Sequence, residues 1–159
     1  MIQLRAILPK DNPEVKAIVQ QVLMEMGAPK VGTAYADPFL GSMYENYNKP
    51  RHAYFVIESN SQIIGCAGVG QLEGAIETVC ELQKMYFLPQ ARGKGLGTQM
   101  MQLCLEKAKA FGYEKCYLET MPYMQDAQKL YLKSGFTYLD QPMGCTGHTS
   151  CPVWMIKAL

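Results

Sequence analysis

A chain of 159 residues is long enough for one domain with a full hydrophobic core. Its 48% hydrophobic and 18% charged residues are ordinary for a globular protein, and a net charge of +1 gives no basic excess that would indicate nucleic acid or a membrane surface as a partner. No apolar run is long enough to cross a bilayer, and the N-terminus lacks the layout of a signal peptide. We therefore expect a single domain over residues 1–159, with no nucleic-acid and no membrane partner.

The six cysteines favour free thiols in a reducing, cytoplasmic compartment. None forms a Cys-x-x-Cys pair, and four of them lie in apolar runs, where free cysteine behaves as a small buried hydrophobe. The spacing Cys145-x-x-His148-x-x-Cys151 contains side chains that bind zinc, but no fourth ligand is evident. We therefore predict no metal site. We expect His148 to be a solvated loop residue, and the alternative is that it lines the substrate side of the pocket.

The first third of the chain predicts a strand, a helix and an irregular aromatic segment. Residues 2–8 resemble a strand, and a helix begins at Asn12, with Asn12 as its N-cap and Gly27 as its C-terminal stop. Between residues 28 and 51 the periodicity fades, although a short helix fits residues 39–47. The many aromatic side chains of this segment either pack it onto the core or form the wall of a substrate pocket, and the sequence leaves both interpretations open.

The middle of the chain predicts a hairpin followed by the central strand of a sheet. Residues 53–58 and 62–69 predict two strands joined by a tight turn, and residues 78–87 predict the central strand. The alternation of polar and apolar side chains breaks within residues 78–87. A β-bulge that shifts the register would account for this break.

A glycine-rich turn follows the central strand and opens a helix. After a proline, Gly93, Gly95 and Gly97 occupy alternate positions, and an amphipathic segment begins at once. The first amides of a helix have no partner within the helix, and the helix dipole favours negative charge there. Glycines let the backbone approach a ligand, and Arg92 and Lys94 add positive charge. The turn therefore predicts a site for phosphate or pyrophosphate.

Two common phosphate-binding motifs do not fit this turn. A Walker loop has Ser or Thr after Gly-Lys, whereas Gly95 follows Lys94 and offers no hydroxyl for magnesium. A dinucleotide fingerprint reads Gly-x-Gly-x-x-Gly, whereas the three glycines here are evenly spaced. A nucleotide-phosphate protein is therefore the weaker alternative.

The second half of the chain predicts a βαβ unit and a C-terminal set of short elements. A helix over residues 96–111 and a strand over 113–120 follow the turn, which places two parallel strands next to each other. A short helix over 125–134 and strands at 136–139 and 152–157 complete the chain. This order predicts a mixed α/β sheet with helices packed on it.

Two motifs in this part of the chain resemble the GNAT superfamily of N-acetyltransferases. Residues 92–97 read Arg-x-x-Gly-x-Gly, which is similar to the acetyl-CoA motif of that family, and residues 127–136 read Ala-x-x-Leu-Tyr-x-x-x-Gly-Phe, which is similar to its second signature. One departure is Met124, at a position where the family often has an asparagine that contacts coenzyme A. The resemblance implies an α/β fold with a mixed, largely antiparallel sheet, a central parallel pair, and helices on both faces.

The resemblance also implies where acetyl-CoA binds. Backbone groups of Met85 and Phe87 would hydrogen-bond the pantetheine in the manner of an added strand, and an amide there would polarise the thioester carbonyl. The pyrophosphate would be held by the turn and the start of the helix, which comprise Arg92, Gly93, Lys94, Gly95, Leu96, Gly97 and Thr98.

Two residues match catalytic positions of the family. Tyr131 matches the general acid that serves the leaving thiolate, although a helix tyrosine can also simply pack on the sheet. Glu81 matches the strand position of the general base in those members that use one, and Glu119 is the reserve candidate. The predicted activity is transfer of an acetyl group from acetyl-CoA to a primary amine by direct attack, with a small molecule as acceptor.

Two alternative functions remain beside the weaker nucleotide-phosphate interpretation. The chain could be an acyl-CoA-binding module without catalysis, or it could acetylate amines of proteins or peptides. Members of the family often form homodimers, so the resemblance also implies a homodimer as one oligomeric state.

Overall fold

A seven-stranded sheet runs through the protein, in the strand order β1-β2-β3-β4-β5-β7-β6. A computed structural model describes all 159 residues. The strands are β1 (Ile2–Ala6), β2 (Ala53–Ser59), β3 (Gln62–Gln71), β4 (Val79–Phe87), β5 (Lys115–Thr120), β6 (Thr137–Leu139) and β7 (Val153–Ala158). The α-helices are α1 (Asn12–Glu25), α2 (Met43–Tyr47), α3 (Leu96–Ala110) and α4 (Gln125–Lys133).

All neighbouring strands are antiparallel except β4 and β5, which form the one parallel pair. The predicted mixed and largely antiparallel sheet is therefore confirmed. The predicted elements recur within a few residues of their expected bounds, except that the short helix fitted to residues 39–47 begins only at Met43.

The helices cover both faces of the sheet. Successive side chains of β2 alternate between two core clusters, because neighbouring residues of a strand point to opposite faces. Phe55 and Ile57 belong to the cluster that includes α3 and Tyr131 of α4, whereas Tyr54 and Val56 belong to the cluster that includes α1 and α2. The sheet is thus buried on both sides in its centre.

The parallel pair is short, and its two strands then diverge. Only Val79, Cys80 and Glu81 of β4 pair with β5, opposite Lys115, Cys116 and Tyr117. Beyond this point β4 continues to Phe87 and β5 continues to Thr120 without pairing to each other. The backbone edge of β4 is therefore open on the side that faces the gap.

A bulge interrupts β4 just before this open edge. The register against β3 shifts between the pairs Cys66–Tyr86 and Gly68–Gln83, and Lys84 has a φ of 48°, which is rare for a residue with a side chain. The break in side-chain alternation therefore has the cause that the sequence suggested.

The predicted N-cap of α1 is wrong. Asn12 is already the first helical residue, and its side chain serves a different helix: its Oδ1 accepts from the amide of Tyr44, 2.9 Å away, and its Nδ2 donates to Glu45 Oε2 at 2.8 Å. Asp11 instead turns the chain into α1, because its carboxylate accepts from the amide of Leu8 and forms an ion pair with Arg5. Gly27, with a φ of 73°, ends the helix as predicted.

Replacing Asn12 with alanine should lower the free energy of unfolding by about 1 kcal/mol, because the first turn of α2 loses its capping acceptor. Urea unfolding followed by circular dichroism measures the change. Asn12→Asp keeps an acceptor for the Tyr44 amide, and in a Glu45→Gln background, where no second carboxylate faces it, it should lose less than Asn12→Ala. Equal losses for the two variants would contradict a capping role.

No helix of the structure is both long and apolar enough to cross a membrane. All six cysteines are free, and only Cys145 is exposed.

Candidate active site

Two large cavities lie where β4 and β5 diverge. The first, which we call the acceptor cavity, has a volume of about 670 Å³ and includes Glu81, Glu119 and His148 in its wall. The second, the cofactor cavity, has a volume of about 470 Å³ and includes Arg92, Gly93 and Gly97 of the glycine turn. The two share one wall, which we call the seam; it is formed by Met85, Tyr86, Met124, Ala127 and Tyr131.

The glycine turn presents backbone amides that have no helical partner. The first hydrogen bond within α3 is donated by the amide of Gln99 to the carbonyl of Gly95, so the amides of Leu96, Gly97 and Thr98 remain available. No side chain caps this end of the helix. The turn therefore has the donors that an anion needs, as the sequence predicted.

Glycine is required in this turn by backbone conformation. Gly93 and Gly95 have φ values of 71° and 74°, and a Cβ atom at either position would meet no other atom within 4 Å. Gly97 has an ordinary φ, but a Cβ atom there would lie 3.2 Å from Leu130 Cδ2. The first two glycines thus allow the turn, and the third allows α3 to pack closely against α4.

Replacing Gly95 with alanine should cost about 1–2 kcal/mol of stability, because the residue must keep a left-handed conformation. It should also weaken binding of coenzyme A, because the strained turn no longer holds its amides in place. Gly112→Ala is the matched control, since Gly112 has a φ of 88°, has open space for a Cβ atom, and follows the other end of α3. Calorimetric titration with coenzyme A should detect weaker binding for the first variant alone; equal affinities would contradict the assignment of the turn.

The predicted cofactor residues do not all reach the cofactor cavity. Its wall contains Met85, Phe87, Arg92, Gly93 and Gly97. Lys94, Gly95, Leu96 and Thr98 do not line it, and Leu96 is buried in the core. Their predicted contribution rests on the amides and positive charge of the turn.

The Arg92 side chain is bound to the protein itself. Its Nε and Nη2 donate to the carbonyl oxygen of Phe87 at 3.0 and 2.8 Å, and its Nη1 forms an ion pair with Glu25 Oε1 at 2.8 Å. Arg92 thus ties the turn to the end of α1. The carbonyl of Phe87, a predicted partner of pantetheine, is occupied by Arg92 in this arrangement.

The open edge of β4 carries the backbone groups of Met85 and Phe87. The amide of Leu88 donates to the carbonyl of Ile64 on β3 and so faces that strand. The backbone N–H and C=O groups of successive residues in a strand point in opposite directions. The backbone groups of Met85 and Phe87 therefore point away from β3, toward the gap left by β5. This edge can pair with an extended ligand as an added strand would.

Tyr131 lies in the seam on α4. It is buried, and its ring packs edge-on against Phe136, with 6.1 Å between ring centroids. Burial raises the pKa of its hydroxyl to about 12, so the group is protonated at neutral pH. Its position satisfies both interpretations of the sequence, since the ring packs in the core while the residue lines both cavities.

Glu81 is a buried carboxyl at the last residue of β4 that pairs with β5. Burial raises its pKa to about 7, although a hydrogen bond from Gln83 Nε2 to Glu81 Oε1 at 2.6 Å favours the ionised form. The Oε1 atom of Gln83 in turn accepts a hydrogen bond from the hydroxyl of Tyr47. Glu81 is thus a buried residue of the acceptor cavity and not a glutamate on an open surface.

Glu119 lies in the same cavity, but both of its carboxylate oxygens have partners. Tyr117 donates to Oε2 at 2.6 Å, and the hydroxyl of Thr146 donates to Oε1. Glu81 has one such bond, to Oε1. Of the two carboxyl groups, Glu81 therefore keeps the freer oxygen.

His148 is part of the acceptor cavity, contrary to the expectation of a solvated loop residue. Its Nε2 lies 3.0 Å from Asp37 Oδ1, and Lys84 Nζ lies 2.8 Å from Asp37 Oδ2. Burial lowers the pKa of His148, but the hydrogen bond with Asp37 and the charge of that carboxylate outweigh burial, so the pKa is raised. The structure contains no group of three or more His, Cys, Asp or Glu side chains placed to hold a metal ion.

The aromatic segment mostly packs on the core. Of its aromatic residues only Phe39 lines the acceptor cavity, whereas Tyr35, Tyr44 and Tyr47 pack with α1. The segment nevertheless forms part of the cavity wall, through Ala34, Asp37, Pro38, Phe39, Asn46 and Lys49, so both interpretations hold in part: the tyrosines pack on the core and other residues line the cavity. At the seam, Met124 supplies an apolar side chain where the family often has asparagine.

Sequence reasoning missed Gln83, Tyr47, Asp37 and Lys84. Gln83 carried one signal, because residues two apart in a strand share a face, and Gln83 stands two residues after Glu81. Tyr47 and Asp37 come from a distant segment and carried none. Lys84 is the neighbour of Gln83 on β4, but its partner, Asp37, belongs to that distant segment.

Relatives with this sequence pattern are acetyltransferases. Residues 20–136 of the chain match the acetyltransferase (GNAT) family. The chain is 40% identical to the uncharacterized N-acetyltransferase YjgM of Escherichia coli K12 over 98% of this chain and 94% of that protein. It is 25% identical to the aminoalkylphosphonate N-acetyltransferase of Salmonella typhimurium LT2, over 84% of each protein.

Solved structures show the same fold. A GNAT acetyltransferase of Staphylococcus aureus Mu50 superposes with a TM-score of 0.88 at 18% identity, over 100% of this chain and 99% of the other. The acetyltransferase yncA of Salmonella typhimurium, solved with acetyl-CoA, gives a TM-score of 0.79 at 18% identity, over 99% and 94% of the two chains. With the family match covering most of the chain, the protein belongs to the acetyltransferase (GNAT) family and is a GNAT N-acetyltransferase.

Proposed function

We propose that this enzyme transfers an acetyl group from acetyl-CoA to the primary amine of a small molecule, by direct attack of the amine. The seam is the observation that carries this proposal, because one wall shared by two cavities brings a cofactor and an acceptor into contact without an intermediate carrier. Tyr131 and Met85 belong to that wall.

The cofactor cavity suits a phosphate-bearing ligand with an extended arm. The free amides at Leu96, Gly97 and Thr98 would hold the pyrophosphate. The open edge of β4, through Met85 and the amide of Phe87, would hold the arm, since the Phe87 carbonyl already accepts from Arg92. Acetyl-CoA supplies the acetyl thioester when it is bound. A backbone amide at this edge can stabilise negative charge on the carbonyl oxygen.

Glu81 is the general base in this proposal. An amine arrives mostly protonated and attacks only when it is neutral, so a proton must be removed first. A carboxyl with a pKa of about 7 is ionised in half of the molecules near neutral pH and can take this proton. Glu81 is favoured over Glu119 because Oε2 of Glu81 has no hydrogen bond from the protein.

Tyr131 is the general acid. The thiolate that leaves needs a proton or a hydrogen bond as its charge develops, and the hydroxyl of Tyr131 is protonated at neutral pH and lies in the seam. The base and the acid thus belong to the two sides of one transfer.

A small acceptor agrees with the size of the acceptor cavity. About 670 Å³ lies within the range of small-molecule sites. One relative, the aminoalkylphosphonate N-acetyltransferase, is named for a small amine. The free cysteines agree with a cytoplasmic location.

Release of free thiol from acetyl-CoA, measured over a panel of amines, tests the proposal. The panel contains small amines and amino acids, and lysine-containing peptides form a separate arm. Thiol release with small amines supports the proposal, and release with peptides alone replaces the small acceptor with a protein or peptide. Binding of coenzyme A without any release would show a non-catalytic binding module, and tighter binding of ATP than of coenzyme A would contradict the cofactor.

A further inference from the structure

The amide of Gln83 forms hydrogen bonds at both of its ends. Its Nε2 donates to Glu81 Oε1 at 2.6 Å, and its Oε1 accepts from the hydroxyl of Tyr47. Glu81 and Gln83 stand two residues apart on β4 and share a face of the sheet. Tyr47, at the end of α2, approaches from a different part of the chain.

Tyr47 decides which end of the amide faces Glu81. Burial raises the pKa of its hydroxyl well above the usual value, so the hydroxyl keeps its proton and can donate it to an acceptor. The ring is fixed by burial and by contact with Tyr54, with 4.9 Å between ring centroids. A donor held at this place draws the carbonyl end of Gln83 toward itself and turns the NH₂ end toward Glu81.

This arrangement affects both the charge and the orientation of the carboxyl. An N–H group that donates to a carboxylate stabilises the ionised form, whereas an amide carbonyl facing it would repel that form. Because Gln83 holds Oε1, the other oxygen, Oε2, is left without a protein partner. No buried side-chain oxygen or nitrogen in the protein lacks a hydrogen bond, so Oε2 is not sealed in the core.

We propose that Gln83, oriented by Tyr47, is a positioning residue that favours the ionised form of Glu81 and leaves its Oε2 free to accept a proton in the acceptor cavity. The proposal rests on the function proposed above. It deepens that function because it assigns control of the ionisation of Glu81, the base, to Gln83 and Tyr47.

Other charged groups also act on Glu81, and the experiment must separate them from Gln83. His148 and Lys84 favour the ionised carboxyl, and Glu119 on β5 disfavours it. Gly70 of β3 pairs with Glu81, and the ring of His52 packs directly on Gly70. Three groups facing this region keep their protons at neutral pH and add no charge: Tyr47, Tyr117 and Cys151.

Gln83→Leu removes the donor, and Tyr47→Phe removes only the hydroxyl that orients it. The acid limb of the pH profile of kcat/KM should move to higher pH by about one unit in Gln83→Leu and by less in Tyr47→Phe. At pH values above both limbs, the rate should recover to within about threefold of the unmodified enzyme. A loss of rate that stays the same at every pH would show a merely structural role and overturn the proposal.

The matched control is Gln102→Leu. Gln102 makes the same kind of bond, from its Nε2 to Glu106 Oε1 at 2.9 Å, but on the exposed face of α3. This variant should leave the pH profile unchanged. A shift of the same size there would overturn the proposal.

A direct titration separates this proposal from the proposed function. The side-chain carboxyl signals of ¹³C-labelled glutamate are followed against pH by NMR, and Glu81→Gln identifies the signal of Glu81 by its disappearance. The Glu81 signal should titrate at higher pH in Gln83→Leu than in the unmodified chain. A shift without any amine acetylation would support the positioning role and refute the function, whereas an unchanged titration would refute the positioning role in an active enzyme.

Discussion

Tyr131→Phe should lower kcat by about 10²- to 10³-fold while the affinity for coenzyme A changes by less than about twofold. The variant loses only the hydroxyl, so the ring that packs against Phe136 remains and the seam keeps its shape. The leaving thiolate then has no protonated hydroxyl beside it. Thiol release under saturating acetyl-CoA measures kcat, and calorimetry measures binding.

Tyr113→Phe controls for the loss of a hydroxyl from a buried tyrosine. The hydroxyl of Tyr113 donates to the carbonyl of Arg51 at 2.9 Å, far along the chain from the seam, and its removal should affect stability and leave kcat unchanged. Unchanged turnover in Tyr131→Phe would remove this residue from the chemistry and leave it a packing residue of α4.

Glu81→Gln should lower kcat/KM by about 10²- to 10⁴-fold and abolish the acid limb of its pH profile near pH 7. The glutamine has the same shape, but it cannot accept a proton from the amine. Glu119→Gln should have a much smaller effect, because the carboxyl of Glu119 is already bound by Tyr117 and Thr146. A larger loss in Glu119→Gln would transfer the role of base to the reserve candidate.

Glu81→Gln should also be more stable than the unmodified protein above pH 7. The pKa of Glu81 is raised from 4.5 to about 7, so the folded state holds more protons than the unfolded state between these values. Stability from this group therefore falls as pH rises from about 4.5 to about 7 and stays low above that. Glu81→Gln removes the group, and thermal unfolding at pH 8 should show a higher Tm.

Local patterns predicted the fold and the positions of the glycine turn and of Tyr131 in it. The glycine turn and the second signature each lie within about ten residues, and their chemistry depends on the backbone of a single turn or helix. The break in alternation within β4 likewise predicted a bulge, and Lys84 is its left-handed residue. Such features are legible because neighbours in the sequence remain neighbours in space.

The hydrogen-bond partners within the acceptor cavity could not be predicted, because they come from segments that are far apart in the sequence. Tyr47 and Gln83 are 36 residues apart, and His148 and Asp37 are 111 apart, yet each pair is hydrogen-bonded. The aromatic segment illustrates the same limit, since its composition was clear while the direction of each ring depended on packing against α1. Asn12 was misassigned because its local signal was that of a cap, but its partner is another helix.

The seam has a consequence for how the products depart. Two cavities that meet only at the seam give each product a route of its own, so the acetylated amine need not wait for coenzyme A, nor coenzyme A for the amide. We expect release in either order and intersecting initial-velocity lines, as in enzymes that hold both substrates at once. Either product should then inhibit by forming a dead-end complex with the opposite substrate.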